Sequence, residues 1–489
     1  MARERLAFIN FPVVLRLIGW LLIIEAGLML LPLVTALIYQ DTSIEGFTWS
    51  MSITLGVGAA LAFGIKPKNH ELMTREAILL TASVWVIFSL FGAIPFVLSL
   101  PGFPIVDACF EAISGFTSTG ATIFPDVESL PHGILIWRAL MQWVGGLGII
   151  LFTLAVIPML NQRGGIHLFQ AEMSGISCSR LRPRISQTAK GLWMTYIILT
   201  IILGVLLYAG PMNLFDTICQ TLSTISTGGF STKNTSIGYW NSTYVNWVIV
   251  VFMFLGSLNF HLLYRAGHGD FKSLFTNDIF KCYLLIVAVC TAIIGIHLFV
   301  EGTYDNAHDL ILYPLFQIIS GMTSTGFQIA SFESWGSLSV VLIIILMFFG
   351  ACEGSTASGA RIDRFLVLMK NTKNEFYRIM HPNSITTVRV NGRPVPNEAV
   401  NKIIAFLAIF VMILAVCTLI LTLCGYSFID SVFASVSSLS NIGYGAGITS
   451  GSFQPLADVA KITLMFAMIV GRLQLFTVLV IFTKYFWVK

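Results

Sequence analysis

Charge is what this chain has least of. Asp, Glu, Lys and Arg together make 11% of its 489 residues, against 56% hydrophobic residues and a mean hydropathy of +0.83. A soluble domain carries about 25% charged residues, so a soluble globular class is excluded. Cysteine is sparse too. Its eight copies stand singly, mostly inside apolar segments and without metal-like spacing, which implies neither a disulfide framework nor a structural metal. A phosphate-binding glycine loop followed by Lys-Ser/Thr, a nucleophile elbow and a His/Asp/Glu cluster are all missing. The sequence therefore points away from an enzyme, and no cofactor is expected on this chain.

Long apolar runs are what the chain has instead. Segments 17–38, 77–100, 133–160, 240–264, 403–424 and 457–482 are near or above twenty residues, enough to cross a hydrocarbon core of ~30 Å. Weaker candidates lie at 47–65, 191–208 and 280–298. The expected class is an all-α polytopic membrane protein. The first run follows Arg3, Arg5 and Arg16 like a signal peptide. It is too long for one, however, and lacks a small-residue cleavage site, so it reads as a retained helix.

The few charges are sorted. Of the 28 Lys and Arg, 24 lie in the two termini or in 66–75, 163–190, 265–281 and 361–402. The intervening loops carry Asp41, Glu45, Asp126, Glu128, Glu301, Asp305 and Asp309. By the positive-inside bias both termini are expected in the cytoplasm. The remaining basic residues are Lys233 in an acidic-side loop and Arg138, Lys461 and Arg472 within apolar helices. Arg138 and Lys461 fall near outer helix ends and are expected to snorkel.

Four segments repeat one signature: FTSTGAT at Gly120, STGGFST at Gly229, MTSTGFQ at Gly326 and SNIGYGAG at Gly443. Thirteen residues before each glycine stand Asp107, Asp216, Tyr313 and Asp430. The acids are expected to cap short helices and to add negative potential at an outer mouth. Each glycine follows a short apolar segment (104–115, 212–224, 309–321 and 427–438), too short to span a bilayer. The expected architecture is a leading pair (1–70) and four units of helix, half-helix, loop and helix, at 71–165, 166–270, 271–395 and 396–489. Ten spanning helices result, closed pseudo-symmetrically around one pore. Non-helical backbone at membrane depth is tolerated when it lines a water-filled cavity.

Such loops suit a permeating cation, which must exchange water for oxygen ligands at small net cost. Glycine lets successive carbonyls turn one way. The candidate ligand set is Thr117, Ser118, Thr119 and Gly120; Ser226, Thr227, Gly228 and Gly229; Thr323, Ser324, Thr325 and Gly326; and Ser440, Asn441, Ile442 and Gly443. The bland alternative is that small residues merely let helices pack closely. Four copies in register weigh against it. A second polar feature interrupts the last helix of unit three, in GACEGSTASG. Glycines and small polar residues at that density break a helix. In the cytoplasmic stretch 371–402, VRVNGRPV reads as a hairpin turning at Asn391-Gly392, either an ordinary surface loop or a docking element.

On SGFTSTGAT, STISTGGFST, GACEGSTASG and GRLQLF, the chain resembles the Trk/Ktr/HKT potassium transporters, most closely the bacterial Trk membrane subunit. The resemblance spans essentially the whole chain, including the leading pair. It implies potassium uptake across the bacterial inner membrane through one pore with four loop glycines, which map onto Gly120, Gly229, Gly326 and Gly443. Potassium is then substrate and not cofactor. Relatives that admit sodium often carry serine at the first of these positions, so glycine here favours potassium. No loop carries TVGYG, so weaker discrimination than a potassium channel's is expected. The resemblance also implies an intramembrane gate over Gly350, Glu353, Gly354, Ser355, Thr356 and Gly359, with Arg472 projecting into the pore. Here the usual Gly-Gly near the loop's end is Ala357-Ser358, and the basic residue after it is Arg361 where lysine is common. The family's GRLE reads GRLQ, so either Glu353 replaces the missing counter-charge and latches to Arg472, or Arg472 only repels anions and pins the loop through backbone carbonyls. The family further implies a homodimer seated on a cytosolic ring that binds NAD, ATP or ADP. The alternative reading is a secondary transporter coupling potassium entry to protons or sodium, with Glu353 titrating.

Overall fold

A computed structural model describes residues 9–67, 73–146, 148, 185–473 and 475–487. It is helical almost throughout. The leading segment is α1 (Phe11–Leu28), α2 (Leu30–Tyr39) and α3 (Ile44–Gly64). The expected single helix over 17–38 is therefore broken at Met29, and α2 ends at Gln40 in a left-handed conformation. α4 (Thr74–Gly92) and α5 (Ile94–Ser99) lead to the first short helix, α6 (Ile105–Phe116), and its return helix α7 (His132–Gly146). The rest of the expected 133–160 run, and most of 163–190, lies outside the described residues.

The second set comprises α8 (Ile185–Tyr208), α9 (Leu214–Ile225), α10 (Thr243–Gly256) and α11 (Phe260–Gly267). α12 (Phe271–Thr276) leads to the third set: α13 (Asp278–Glu301), α14 (Ala307–Met322), α15 (Ser337–Phe349) and α16 (Ile362–Met380). The fourth is α17 (Asn397–Leu423), α18 (Phe428–Leu439) and α19 (Asp458–Arg472). Among the described residues, six helical stretches are long and apolar enough to cross a membrane, up to eight if each bent pair counts as one. Their outer faces expose Ile198, Ile201, Ile202 and Val205 on α8 and Val411, Met412 and Leu419 on α17, the apolar surface a lipid contact needs. The all-α polytopic class stands.

Two return helices differ from their expected straight form. The 240–264 run bends by 108° between α10 and α11. Asn259 makes the corner: its side chain accepts the N–H groups of His261 and Leu262 and starts α11. The 457–482 run stops at Arg472, and Leu475 sits at φ 36. The third return helix is interrupted as expected. Between α15 and α16 the chain is irregular, with Gly350, Gly354, Gly359 and Arg361 all at positive φ. Glycine populates that region freely; Arg361 does not.

The 388–395 stretch is the expected hairpin. β1 (Arg389–Val390) pairs antiparallel with β2 (Arg393–Pro394), Val390 opposite Arg393. Asn391 and Gly392 take φ 50 and 74, the double left-handed signature of a type I′ turn. The hairpin docks on α13: Asn391 Oδ1 accepts from the Asp278 N–H at 2.7 Å, and Asp278 Oδ2 accepts from the Asn391 N–H at 3.0 Å. Lys370 of α16 closes the group on Asp278 Oδ2 at 2.8 Å.

Candidate functional site: a ring of four loops

The short helices α6, α9, α14 and α18 end identically. The second residue after each, Ser118, Thr227, Ser324 or Asn441, is left-handed at φ 52 to 54. Its N–H bonds the carbonyl three residues back, and the next N–H reaches the carbonyls of Ser114, Ser223, Ser320 and Ser437 at 2.8–3.0 Å. That pair of bonds is the Schellman motif, which satisfies the last helical carbonyls. It usually carries glycine. A β-branched residue such as Thr227 there is a backbone outlier.

The signature glycine follows two residues on. Gly120, Gly229, Gly326 and Gly443 hold φ 80 to 84, and the intervening residue is not left-handed. Alternating handedness turns successive peptide groups the same way. A Cβ built on Gly120 would collide with the carbonyl of Gly228, on Gly229 with that of Thr325, on Gly326 with that of Ile442, and on Gly443 with that of Thr119. The order of contacts is one, two, three, four and back to one. The four loops form a closed ring, each seam so tight that only hydrogen fits. Eight of the sixteen residues nominated from the sequence meet at these seams, and the side chains among the sixteen are buried.

Side chains brace the ring unequally. Thr117 pairs with Thr119, and Thr323 with Thr325, hydroxyl to hydroxyl at 2.7 Å. Asn441 Nδ2 donates to Thr119 Oγ1 at 2.8 Å, sewing loop four to loop one. The Tyr444 hydroxyl donates to Gln317 Oε1 at 2.7 Å, joining loops four and three.

On one side of the ring lies a cavity of about 140 Å³ lined by the four glycines together with Arg138, Lys233, Phe230 and Asn234. Arg138 does not snorkel. It is 2% exposed and donates from Nε to Glu111 Oε1 at 2.7 Å, with Nη2 on Thr122 Oγ1 and its guanidinium over the Phe230 ring. Lys461 is likewise buried, with Nζ 2.6 Å from Asp107 Oδ1. Buried cations need partners, and a nearby carboxylate outweighs a reach to solvent. The capping expectation for the aspartates fails for the same reason. Asn213 and Ser427 are the caps of α9 and α18, and α6 starts after Pro104 with no side-chain cap. Asp107 instead neutralises Lys461, and Asp216 accepts from Thr232 Oγ1 at 2.6 Å. The outer loops also interlock: Asn234 Nδ2 donates to Asp126 Oδ1 at 2.8 Å, and this amide holds the Asp126 carboxyl below the usual aspartate range.

On the other side lies the interrupted segment. The α10–α11 corner receives it: Phe260 N–H donates to Gly354 O at 3.0 Å, Asn259 Nδ2 to Glu353 O at 2.7 Å, and Thr356 Oγ1 to Gly256 O at 3.0 Å. Ser355 Oγ caps back onto Cys352 O, and Ser358 N–H donates to Ser324 Oγ at 2.9 Å, tying the segment to loop three. Arg472 spans the gap beneath. Nη1 donates to Thr356 O at 2.7 Å and Ser358 Oγ at 2.9 Å, and Nη2 to the Gly145 and Gly146 carbonyls at 2.5 and 2.6 Å. Among the described ion pairs, Glu353 faces Arg361 at 4.0 Å and not Arg472. Of the two expected roles, the described contacts of Arg472 are those of the carbonyl pin, and Gln474 lies outside the described residues. Arg472, Arg361, Thr356, Ser358, Gly354 and Trp85 line a cavity of about 70 Å³.

Sequence reasoning missed the residues behind the ring. Nine positions before the signature glycines stand Glu111, Gln220 and Gln317, whose side chains hold Ile123 N, Ser231 Oγ and Ala330 O beyond the loops. Eighteen positions after the first and fourth glycines stand Arg138 and Lys461. Extending the register outward from the glycines would have found the first set and tied the second, already noted as cations within apolar helices, to the loops.

Comparison with known proteins supplies a family. The sequence model of TrkH, described as a cation transport protein, matches residues 44–486. The Trk system potassium uptake protein TrkH of Salmonella typhimurium is 34% identical over 98% of this chain and 99% of its own length. The TrkG protein of Escherichia coli K12, also a Trk system potassium uptake protein, is 34% identical over 97% and 98%. Among solved structures, the potassium transporter TrkH from Vibrio parahaemolyticus superposes with a TM-score of 0.89 at 31% identity, covering 98% of this chain and all of that one.

Proposed function

The chain belongs to the TrkH family of cation transport proteins, and from that premise we propose that it admits potassium to the cell through a gated pore framed by the four loops. The observation that carries this reading is the cyclic seam, in which each loop glycine abuts the carbonyl before the next. A ring of backbone carbonyls can replace a cation's hydration shell. Each loop also follows the C-terminal end of a short helix, where about half a negative charge resides, and four such ends favour a cation between them. Potassium is the cargo, held by the sixteen loop residues, and pseudo-fourfold repetition with ten spans is the architecture we assign.

Segment 350–359 is the gate, held shut by Arg472. The guanidinium joins the segment to the end of α7, so the pore opens when those carbonyls are released. The protein works in the bacterial inner membrane with both termini cytoplasmic, in keeping with its 24 sorted cations. A homodimer on a cytosolic nucleotide-binding ring is the assembly we propose, with the basic regions 265–281 and 361–402 as its contact. The docked hairpin at 389–394 lies within that surface.

Reversal potential across proteoliposome patches tests the reading, first under opposed potassium and sodium gradients and then under a pH gradient. A reversal near the potassium value and indifferent to pH is expected. A potential that tracks pH, or flux without current, transfers the assignment to a coupled transporter. Arg472→Gln should raise resting flux roughly tenfold or more, because each hydrogen bond to a charged group is worth about 1.5–3 kcal/mol.

A further inference from the structure

The four return helices carry equivalent residues ten positions after their first: Gln142 on α7, Met253 on α10, Met347 on α15 and Met468 on α19. All four are fully buried. Three are apolar filling; the fourth is an amide, and it has work for every polar atom. Gln142 Nε2 donates to the Gly228 carbonyl at 2.7 Å, and Oε1 accepts from Ser223 Oγ at 2.6 Å and from the Phe230 N–H at 3.1 Å. Those partners bracket loop two from the end of α9 to the residue beyond Gly229.

Loop composition answers to this side chain. The residue before the signature glycine is Thr119, Thr325 or Ile442 in three loops and Gly228 in the second. A Cβ at 228 would lie 2.5 Å from Gln142 Oε1 and 2.9 Å from its Cβ. Gln142 therefore fills the space that a loop side chain fills elsewhere. Among the described hydrogen bonds, the Gly228 carbonyl is also the single one of the four seam carbonyls with a side-chain donor.

We infer that Gln142 is a positioning residue for ion preference, pinning the Gly228 carbonyl so that the ring cannot contract around a smaller cation. This rests on the pore reading above. The physical basis is that a carbonyl sharing its oxygen with an N–H is both fixed in place and a weaker cation ligand. Both effects disfavour sodium, which needs a closer approach and repays a stronger field. Released, the carbonyl can move inward.

The test is Gln142→Met, which installs the side chain found at the three equivalent positions, read by reversal potential in mixed potassium and sodium. The potassium-to-sodium permeability ratio should fall roughly two- to tenfold, the factor that one hydrogen bond's net worth supports, with potassium current retained. Ser223→Ala, which frees the amide without touching the carbonyl, should shift the ratio in the same direction by less, and serves if Gln142→Met does not fold. An unchanged ratio in the folded variant, with only thermal stability lowered, makes Gln142 a packing residue and overturns the inference alone. A wild-type reversal indifferent to potassium overturns the pore reading and this inference with it.

Discussion

Replacing Gly326 with alanine asks the ring to accommodate one methyl group. Two costs arise, and they can be separated. The backbone is at φ 81, where a non-glycine residue pays about 1–3 kcal/mol. The new Cβ would also collide with the Ile442 carbonyl across the seam, so loop four must withdraw or loop three must leave its left-handed conformation. Either way the seam opens at the Ile442 carbonyl, one of the oxygens proposed to face the cation. If the strain is relieved at the ion site, 1–3 kcal/mol of lost discrimination corresponds to roughly a 5- to 150-fold fall in the potassium-to-sodium ratio. Gly302 provides the control. It ends α13 at φ 68 with nothing within 4 Å of its Cβ position, so Gly302→Ala carries backbone strain without a seam. The assay is bi-ionic reversal potential on both variants, alongside thermal unfolding. Gly326→Ala should collapse selectivity while Gly302→Ala lowers stability alone. If the folded Gly326→Ala protein keeps the wild-type ratio, the seam carbonyls do not set ion preference and the reasoning fails.

Removing one partner of the buried Glu111–Arg138 pair, as Arg138→Met does, should cost about 3–5 kcal/mol through the stranded carboxylate; the double variant Arg138→Met/Glu111→Gln should recover part of it in a thermal melt. The Asp126–Asn234 clasp joins the first two outer loops. Because the folded carboxyl sits below the usual aspartate range, its contribution is present at neutral pH and is lost as pH falls through that lowered value. Hydrogen exchange at 122–131 should therefore quicken as pH falls through that lowered value, and Asn234→Ala should move that change toward the ordinary aspartate range. Asn391→Ala places a residue without Asn's tolerance at φ 50 and removes the acceptor for the Asp278 N–H; exchange at 388–395 should speed up by a factor matching about 1–2 kcal/mol, with reversal potential unchanged.

The short helices and their glycines were legible because they obey a local rule repeated four times. Ends expected at 115, 224, 321 and 438 fall at Phe116, Ile225, Met322 and Leu439, and the break at 350–359 was readable from its glycines. The Asn391-Gly392 hairpin was legible too, since two left-handed residues in sequence permit few alternatives. What escaped was decided between elements distant in sequence. The bend at Asn259 is marked in the sequence by Gly256 alone; residues 352–356 supply the carbonyls and a packing surface for α11 to start against. Arg138 and Lys461 read as snorkelling because their carboxylate partners, Glu111 and Asp107, lie on other helices. For Arg472 the sequence left two roles open, a latch to Glu353 or a pin on backbone carbonyls; guanidinium geometry favours several acceptors at once, and Arg472 has four on two segments.

The two sides of the ring are built on opposite plans. Above the short helices, the same backbone conformation recurs four times, with matching φ values and matching Schellman bonds. Equivalence is what a central cation requires, since unequal ligands would draw it off axis. Below, two of the return helices, α10 and α19, turn corners of 108° and 109°, but the four offer different groups. α7 offers carbonyls at Gly145 and Gly146, α10 turns a corner at Ser257–Asn259, α15 breaks into the glycine segment, and α19 stops at Arg472. Each irregularity has its partner in another: the corner accepts the segment, and the arginine fastens the segment to α7. A plug made by four equivalent elements could open only if all four moved together. On the proposed function, with one segment as plug and one arginine as clasp, opening would require the release of a few hydrogen bonds on a single guanidinium, while the ring proposed to choose the ion keeps its geometry. On that reading, the asymmetry beneath the ring lets selectivity and gating be altered by separate substitutions, Gly326→Ala for the first and Arg472→Gln for the second.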